Sequence, residues 1–417
     1  MAVIIPFQVI HPGKDLWNRI AALPYDVYNR EEAREEAAKD PLSFLNIDRP
    51  ETQFPPDMDM YAPEVYEKAA SLLWEEIHAG DFVKEGEPCF YLYELTMEGR
   101  SQTGLCALAS IDDYLSGVIR KHENTREEKE LDRICHVDVL NAQTGPIFLA
   151  YRQNQELKRL MAEGKEGEPA FDFISEDGVR HRGFKVTGDL SAKIREAFAS
   201  VPRLYIADGH HRTASAVKVG LKRRAEHPDY SGKEPFNFFL SVLFPDEELM
   251  ILDYNRVVKD LNGLTDQEFL KKLKEKCEVL SVTFSPKKPA EKGQVSMLFG
   301  GQWYLLSFRK EIRKDDPVEG LDASILQKEI LCPILGIQDP KTDKRIDFVG
   351  GIRGYAELVR RVETDARVAF AMYPTSIGEL FAVADAGALM PPKSTWFEPK
   401  LRSGLFLHSL EEGEEEV

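Results

Sequence analysis

Apolar residues along the chain follow two spacings, which alternate without an internal repeat. Apolar positions three and four residues apart predict amphipathic helices. Shorter runs rich in β-branched and aromatic residues, bounded by turn residues, predict strands. Two pairs of these runs are joined by short turns and predict hairpins, in which Leu92 pairs with Leu105 and Val295 pairs with Tyr304. The predicted helices are Glu31 to Lys39, Glu64 to His78, Glu156 to Glu163, Ala192 to Phe198, Asp266 to Lys276 and Tyr355 to Glu363. The predicted strands are Cys89 to Leu95, Gly104 to Ile111, Arg203 to Ala207, Phe238 to Phe244, Gln294 to Phe299, Trp303 to Phe308 and Arg367 to Met372.

This mixture of elements predicts an α+β fold of mixed sheets with flanking helices. With 417 residues, 43% of them hydrophobic, the chain can bury a large core. We predict an N-terminal α/β region of residues 1–250 and a C-terminal α/β region of residues 251–417 that packs back onto it. No apolar run reaches the roughly 20 residues of a membrane helix, and the first residues lack a signal-peptide pattern. A cytoplasmic protein without a membrane partner is therefore expected.

The charge balance argues against a nucleic-acid partner. Lys plus Arg number 54 and Asp plus Glu number 71, a formal net charge of −17 that repels polyanions. Nucleic-acid binding would need a local basic patch. The best candidate is Lys218, Lys222, Arg223 and Arg224, but their helical spacing beside Glu226 is more typical of a solvated helix face.

The segment from Arg203 to Val217 is the strongest candidate for chemistry. An apolar strand runs into a short turn, and an Ala-rich helix follows at once. The N–H groups and the dipole of a helix start favour an anion, and two histidines and an arginine add donors there. A simpler interpretation is a capped helix with Asp208 as its N-cap. The residues of the turn are Asp208, Gly209, His210, His211 and Arg212.

Two segments in the first third of the chain also carry polar groups in suggestive places. Asp26 places a carboxylate in a rigid proline turn, and the alternative interpretation is simply a β-turn with an Asx cap. His122 and Glu123, followed by Asn124 and Thr125, suit general acid–base chemistry. A plain loop before the charged run that follows explains this second pattern about as well.

Two further segments lie near the C-terminus. Asp347 precedes a glycine pair that permits close approach of the backbone to a ligand. Lys393, Ser394 and Thr395 lie in a proline-stiffened loop and suit a phosphate contact, although such residues are also ordinary in surface loops.

The order of these motifs resembles a widespread domain-of-unknown-function family whose members are often labelled SpoOJ/ParA/ParB/repB-like. The resemblance runs from Pro6 to about Leu407, and YIADGHHR is its most specific part. The motifs are PYDV (Pro24 to Val27), HENT (His122 to Thr125), PIF (Pro146 to Phe148), YIADGHHR (Tyr205 to Arg212), DF (Asp347 to Phe348) and MPPKST (Met390 to Thr395). The family looks related to the ParB and sulfiredoxin superfamily, which implies a ParB/sulfiredoxin-like core with a phosphate-binding turn. Free-serine kinases belong to that superfamily, and some members of the family look like pyrophosphate-dependent serine kinases.

Residues and resemblance together predict a phosphotransferase for a small hydroxyl metabolite. The resemblance alone implies free L-serine as acceptor, with pyrophosphate or a nucleotide as donor. Phosphate binding is assigned to Gly209, His210, His211 and Arg212, with Lys393, Ser394 and Thr395 added from the far end of the chain. Catalysis is assigned to Glu123 as base with His122 and His211, substrate binding to Asp26 and Asp347, and a Mg²⁺ ion to Asp208.

Other interpretations remain open at the level of sequence. Asp26 or Asp347 is an alternative base. A metal-dependent phosphohydrolase would use His210 and His211 as ligands, although adjacent histidines seldom chelate one ion. A ParB-like nucleic-acid-binding or nuclease-like protein is the remaining alternative, and the oligomeric state is not predicted.

Overall fold

The computed structural model describes residues 1–411, and the chain divides into two compact units. Unit 1 consists of Met1–Leu249 and the described part of Pro399–Val417, and unit 2 consists of Met250–Glu398. Both units combine strands and helices. The predicted α+β class is confirmed, and the ParB/sulfiredoxin-like core stays a prediction.

The end of the chain does not follow the predicted division. We assigned residues 251–417 to one C-terminal region, whereas residues 399–411 cluster with unit 1. Strand pairing is the reason, because His408–Ser409 pairs with Ala142–Gln143 of the first unit.

Unit 1 is built on one nine-stranded mixed sheet flanked by helices. The strands of unit 1 are β1 (Ile4–Ile5), β2 (Ile10–Pro12), β3 (Phe82–Lys84), β4 (Phe90–Met97), β5 (Arg100–Ser110), β6 (Ile119–Arg120), β7 (Ala142–Gln143), β8 (Ile147–Tyr151), β9 (Phe171–Ile174), β10 (Arg180–Val186), β11 (Leu204–Asp208), β12 (Phe238–Pro245) and, after unit 2, β21 (His408–Ser409). The pairs β2-β3 and β7-β21 lie outside the nine-stranded sheet. The helices of unit 1 are α1 (Trp17–Ile20), α2 (Arg30–Ala37), α3 (Leu45–Asp48), α4 (Pro63–Ala79), α5 (Ile111–Leu115), α6 (Glu127–Leu140), α7 (Gln155–Glu163), α8 (Gly188–Phe198) and α9 (His210–Glu226). The strand order is β6-β11-β8-β12-β5-β4-β10-β9, with β1 paired to β5.

The core of unit 1 lies between this sheet and its helices. Leu92 and Leu105 of the sheet belong to the same buried cluster as Leu157 of α7, Ile194 of α8 and Val217 of α9. Burial of such apolar side chains anchors the start of α9 against the edge of the sheet that holds β11.

Unit 2 has a six-stranded antiparallel sheet in the order β15-β17-β16-β19-β14-β18, beside the pair β13-β20. Its strands are β13 (Met250–Leu252), β14 (Tyr254–Val258), β15 (Cys277–Thr283), β16 (Gln294–Phe299), β17 (Gln302–Phe308), β18 (Ile346–Gly350), β19 (Val368–Met372) and β20 (Trp396–Glu398). Its helices are α10 (Asp266–Lys276), α11 (Asp322–Leu326), α12 (Gly354–Thr364) and α13 (Ile377–Asp385), and α11 continues into a π-helical turn at Gln327–Leu331. A second buried cluster, which includes Phe269 and Phe370, fills this unit.

The hairpin predictions differ in their outcome. Leu92 pairs with Leu105 as predicted. In the second hairpin the register is different, because Val295 pairs with Leu306 and Met297 with Tyr304. The strands there are joined by two glycines with left-handed φ, a tight connection that centres the pairing between those glycines.

One helix close to the site was not predicted. The sequence analysis assigned no helix to the charged run from Arg126 to Glu130 or to the residues after it, whereas α6 spans Glu127–Leu140. Acidic side chains in the first turn are favourable near the positive end of the helix dipole. Among residues 1–411, no helix is long and apolar enough to cross a membrane.

Candidate functional site

The start of α9 is a helix end without a side-chain cap. Gly209 is the N-cap residue, with φ 91° and ψ 33°, and no side chain accepts a hydrogen bond there. Only glycine adopts this left-handed geometry without strain. The alternative of Asp208 as N-cap is wrong, because its Oδ1 accepts the N–H of Gly209 at 3.0 Å instead. The first N–H groups of α9 therefore point out of the helix.

Parallel strand pairing brings a second segment to this helix start. In β6 and β11, Ile119 pairs with Leu204 and Arg120 with Tyr205. The carboxyl ends of two parallel strands lie at the same sheet edge, so His122, two residues beyond Arg120, comes next to the end of β11. The HENT and GHHR motifs are brought together as a result.

His122 and His210 lie edge to face, with ring centroids 4.5 Å apart and an interplanar angle of 89°. Their exposed fractions are 2% and 8%. Burial lowers the pKa of His122 to about 4, against the opposing charge of Asp208. Burial, together with the neighbouring His122, holds the pKa of His210 well below its usual range. Both imidazoles are therefore neutral near neutral pH.

These two imidazoles carry buried atoms without hydrogen bonds. Neither ring nitrogen of His122 has a hydrogen-bond partner, and the same holds for Nε2 of His210. Ligand atoms of His122, Glu123 and His210 all lie within 4.8 Å of one another. Among residues 1–411, this is the set of His, Cys, Asp and Glu side chains whose spacing suits a metal ion.

The side chain of His211 is oriented by a backbone group. Its Nε2 accepts a hydrogen bond from the N–H of Arg126 at 3.0 Å. Because Nε2 is the acceptor, the neutral ring carries its proton on Nδ1. Burial, and next the charge of Lys129, lowers the pKa of His211. His211 is thus a neutral donor at Nδ1, which suits contact with an anion better than proton abstraction.

Arg212 crosses the turn that it follows. Its Nη1 donates to the carbonyl of Pro146 at 2.8 Å, which ties the PIF motif to the helix. A Cβ built on Gly209 would stand 3.1 Å from its Nε, and one on Gly145 would stand 3.3 Å from its Nη1. Glycine at both positions lets the guanidinium lie flat over the turn.

Lys400 was not predicted and lies at this turn. Its Nζ is 3.0 Å from Oδ2 of Asp208. Burial alone would raise the pKa of Asp208, but the charges of Lys400 and Arg212 hold it well below its usual range. Lys400 ends the same proline-stiffened segment from which we selected Lys393. The sequence offered no signal to choose between the two, since the choice depends on where the chain returns to unit 1.

The predicted Mg²⁺ ligand is already engaged by protein donors. Oδ1 of Asp208 accepts the N–H of Gly209 and Oδ2 accepts from Lys400. Mg²⁺ prefers oxygen ligands, whereas the clustered ligand atoms here include two imidazoles. The donor set at this turn does not suit Mg²⁺, and its assignment to Asp208 stays a prediction.

Asp26 is exposed in a turn closed by a hydrogen bond of 3.0 Å from the Val27 N–H to the Pro24 carbonyl. It lines a pocket together with Lys129 and Arg133. Its charge also acts on the His211 imidazole. The pocket therefore presents charges of both signs near the start of α9.

The other predicted residues belong to unit 2, where each has partners of its own. Asp347 is paired with Arg361 at 2.8 Å. Ser394 is buried and donates to the Pro391 carbonyl at 2.7 Å. The Nζ of Lys393 lies 5.5 Å from the centre of the Tyr254 ring. Thr395 is half-buried beside them. The assignment of Asp347, Lys393, Ser394 and Thr395 to substrate or phosphate stays a prediction.

Comparison with protein families confirms the resemblance. The profile of DUF1015, described as a protein of unknown function, matches residues 4–324. This range includes the PYDV, HENT, PIF and YIADGHHR motifs, and the DF and MPPKST motifs lie beyond it. No curated protein matches the chain.

Solved structures with similar chains are distant. A free serine kinase in complex with AMP is 14% identical with a TM-score of 0.35, and the match covers 70% of this chain and 86% of that chain. A conserved hypothetical protein from Pyrococcus furiosus is 15% identical with a TM-score of 0.36, covering 73% of this chain and 95% of that chain. SbnI with a C-terminal truncation, from Staphylococcus aureus, is 12% identical with a TM-score of 0.37, and the match covers 74% of this chain and 90% of that chain. The chemistry of the site is therefore argued from its own geometry.

Proposed function

We propose that this chain, which belongs to the DUF1015 family, transfers a phosphoryl group to the hydroxyl of a small metabolite at the start of α9. One observation carries the proposal. The helix opens directly after β11 without a side-chain cap, the guanidinium of Arg212 lies beside Gly209, and the ring of His211, the second residue of the helix, is held by the N–H of Arg126. Helix N–H groups, a guanidinium and a neutral imidazole donor together suit the oxygens of a phosphate.

The donor phosphate is assigned to this turn. Gly209 provides the close backbone approach, and His210 contributes its backbone N–H rather than its buried ring. Arg212 and Nδ1 of His211 add side-chain donors that neutralise developing charge. Lys400 holds Asp208 in a pair, so that the carboxylate does not repel the incoming phosphate.

The acceptor is assigned to the pocket beside Asp26. Carboxylates and cations in the lining of one pocket suit a zwitterionic amino acid, with its ammonium on Asp26 and its carboxylate on Lys129 or Arg133. Arg133 is already paired with Asp132 at 2.9 Å. Free L-serine as the acceptor follows from the family resemblance.

Glu123 is the proposed base. The serine hydroxyl oxygen forms the new bond to phosphorus, and the bond from phosphorus to the leaving phosphate or nucleotide breaks. The hydroxyl proton passes to the carboxylate of Glu123. Positioning and charge stabilisation supply most of the catalysis in such a reaction.

Nucleic-acid binding has less support. The four cations considered as a basic patch on α9 all pair with carboxylates. Lys218 pairs with Glu130, Lys222 and Arg223 with Asp138, and Arg224 with Asp112. A face whose charges are compensated in this way offers little attraction to phosphodiesters.

The test is phosphoryl transfer to L-serine by the purified protein. Pyrophosphate, ADP and ATP are compared as donors with Mg²⁺, and O-phosphoserine is measured by mass spectrometry. Arg212→Ala is paired with Lys222→Ala, an exposed cation further along the same helix. Product from one donor that is lost in Arg212→Ala and kept in Lys222→Ala supports the proposal. Absence of phosphoserine with all three donors contradicts it.

A further inference from the structure

We infer that His122, Glu123 and His210 bind one divalent transition-metal cation of the borderline class, of which Zn²⁺ is the reference member. The cation site stands on the geometry of these three residues. Only its role in catalysis rests on the function proposed above.

The first argument is spacing. Ligand atoms of the three side chains all lie within 4.8 Å of one another. Around a tetrahedral cation with bonds of about 2.0–2.1 Å, ligand atoms stand about 3.4 Å apart. Small rotations of the side chains, above all of the half-buried Glu123, close that difference without movement of the backbone.

The second argument is the unmet hydrogen bonding of the imidazoles. His122 and His210 are more than nine-tenths buried, and three of their four ring nitrogens have no partner. A buried polar atom without a partner carries a desolvation cost. A cation bound by one nitrogen of each ring would offset that cost.

The third argument is the chain topology that holds the ligands in place. His122 and Glu123 follow β6, while His210 follows β11, and these parallel neighbours end at one sheet edge. The Ser215 hydroxyl of α9 lies 3.0 Å from the Glu130 carbonyl of α6 and 2.8 Å from the His211 carbonyl, so it links the two helices. Ligands from two fixed elements make a pre-organised site.

The ligand types select the cation. Two imidazoles and one carboxylate suit Zn²⁺ and other first-row transition ions, whereas Mg²⁺ and Ca²⁺ prefer oxygen ligands only.

The position of the inferred cation suits a role in the proposed phosphoryl transfer. Three protein ligands leave coordination positions open. The nearest external group is the phosphate assigned to the turn at Gly209, whose oxygen the cation would polarise. A carboxylate that ligates through one oxygen keeps the other, so Glu123 retains an oxygen for the hydroxyl proton.

The test is metal binding by untagged full-length protein that has been stripped of metal with a chelator. Co²⁺ is the spectroscopic probe and Zn²⁺ the calorimetric one. We expect one equivalent to bind, with the visible absorption of Co²⁺ bound to nitrogen and oxygen ligands. His122→Ala and His210→Ala should lower the affinity by about 100-fold or more, because even outer-shell partners are worth about 10–100-fold.

Two variants keep the test decisive. Glu123→Gln changes a half-buried side chain and should weaken binding by at least about 10-fold even where a histidine variant fails to fold. His211→Gln is the matched control, because it alters the adjacent imidazole and should leave the Co²⁺ affinity within a few-fold of wild type.

The outcomes separate this inference from the proposed function. Stoichiometric Co²⁺ binding that is lost in the ligand variants supports the site, even if no phosphoserine is formed. Failure of the wild type to bind Co²⁺ or Zn²⁺, or equal binding by the ligand variants, overturns it. If protein that binds neither Co²⁺ nor Zn²⁺ forms phosphoserine with Mg²⁺, the proposed function is supported and the inferred cation site is contradicted.

Discussion

The starts of α9 in unit 1 and of α13 in unit 2 differ in how their backbone is satisfied. At α13, Ser376 and Glu379 form a capping box, with hydrogen bonds of 3.2 and 2.9 Å. At α9, Gly209 provides no side chain, and three of the four ring nitrogens of the neighbouring His122 and His210 are buried without hydrogen-bond partners. Capping groups at one helix end serve stability. A helix start without a cap, beside buried polar groups, does not add to stability. Such an arrangement is expected at a binding site.

The largest effect is expected from Glu123→Gln. It removes the proposed base at the open helix end and preserves size, so kcat for phosphoserine formation should fall by about 10²–10⁴. Steady-state kinetics with the active donor measure this. Turnover within a few-fold of wild type would assign the base to another carboxylate.

Arg212→Ala should lower kcat/KM by about 10²–10³, since a donor to the developing charge is lost. Arg212→Lys should recover little of this, because a single ammonium cannot both hold the Pro146 carbonyl and present a planar fork to phosphate. The rate of phosphoserine formation is measured against donor concentration for the wild type and both variants, which gives kcat/KM for each. Full activity of the lysine variant would show that charge alone matters at the turn.

In unit 2 we expect a pH-dependent stability that arises from one buried carboxyl group, that of Asp322. Burial raises the pKa of Asp322 to about 6, although the N–H of Gly293 opposes the shift. The folded state then binds more protons than the unfolded state between about pH 4 and about pH 6, and stability decreases as pH rises through that window. Asp322→Asn keeps an acceptor for Gly293 and should raise the free energy of unfolding at neutral pH by up to about 3 kcal/mol.

Urea unfolding of wild type and Asp322→Asn near pH 4 and near pH 7 measures this effect. The two proteins should be similar in stability at the lower pH and differ at the higher. A constant difference at both values would mean that Asp322 does not carry a proton in the folded state.

Gly209→Ala tests the backbone of the open helix end. A side chain at φ 91° is strained whatever the space, and its Cβ would press on Arg212. We expect a loss of about 1–2 kcal/mol in stability, together with weaker phosphate binding. Thermal unfolding and the KM for the donor report the two effects. An unchanged KM would separate the helix start from the phosphate site.

The smallest effect is expected from Ser376→Ala at the capped helix. Loss of the cap should cost about 1 kcal/mol of stability and leave phosphoserine formation unchanged. Thermal unfolding and the activity assay are run together. A loss of activity beyond that of unfolding would remove the contrast between the two helix starts.

The sequence alone determined the local elements and the turn itself. The bounds of α10 and β16 agree with the prediction, and the turn at Gly209 follows its strand as expected. Periodicity and turn chemistry act between near neighbours in the chain, so they can be read without a fold. Helix α6 was not predicted, because the pattern of its charged start is ambiguous between a helix and a loop.

The tertiary structure decided which chemical groups meet. His122 and Glu123 reach His210 only because β6 runs parallel to β11, and no local pattern specifies which strands become neighbours. Lys400 reaches Asp208 across 192 positions because the last segment returns to unit 1 through β21. Such contacts depend on long-range pairing and burial, which are properties of the whole core and not of any segment.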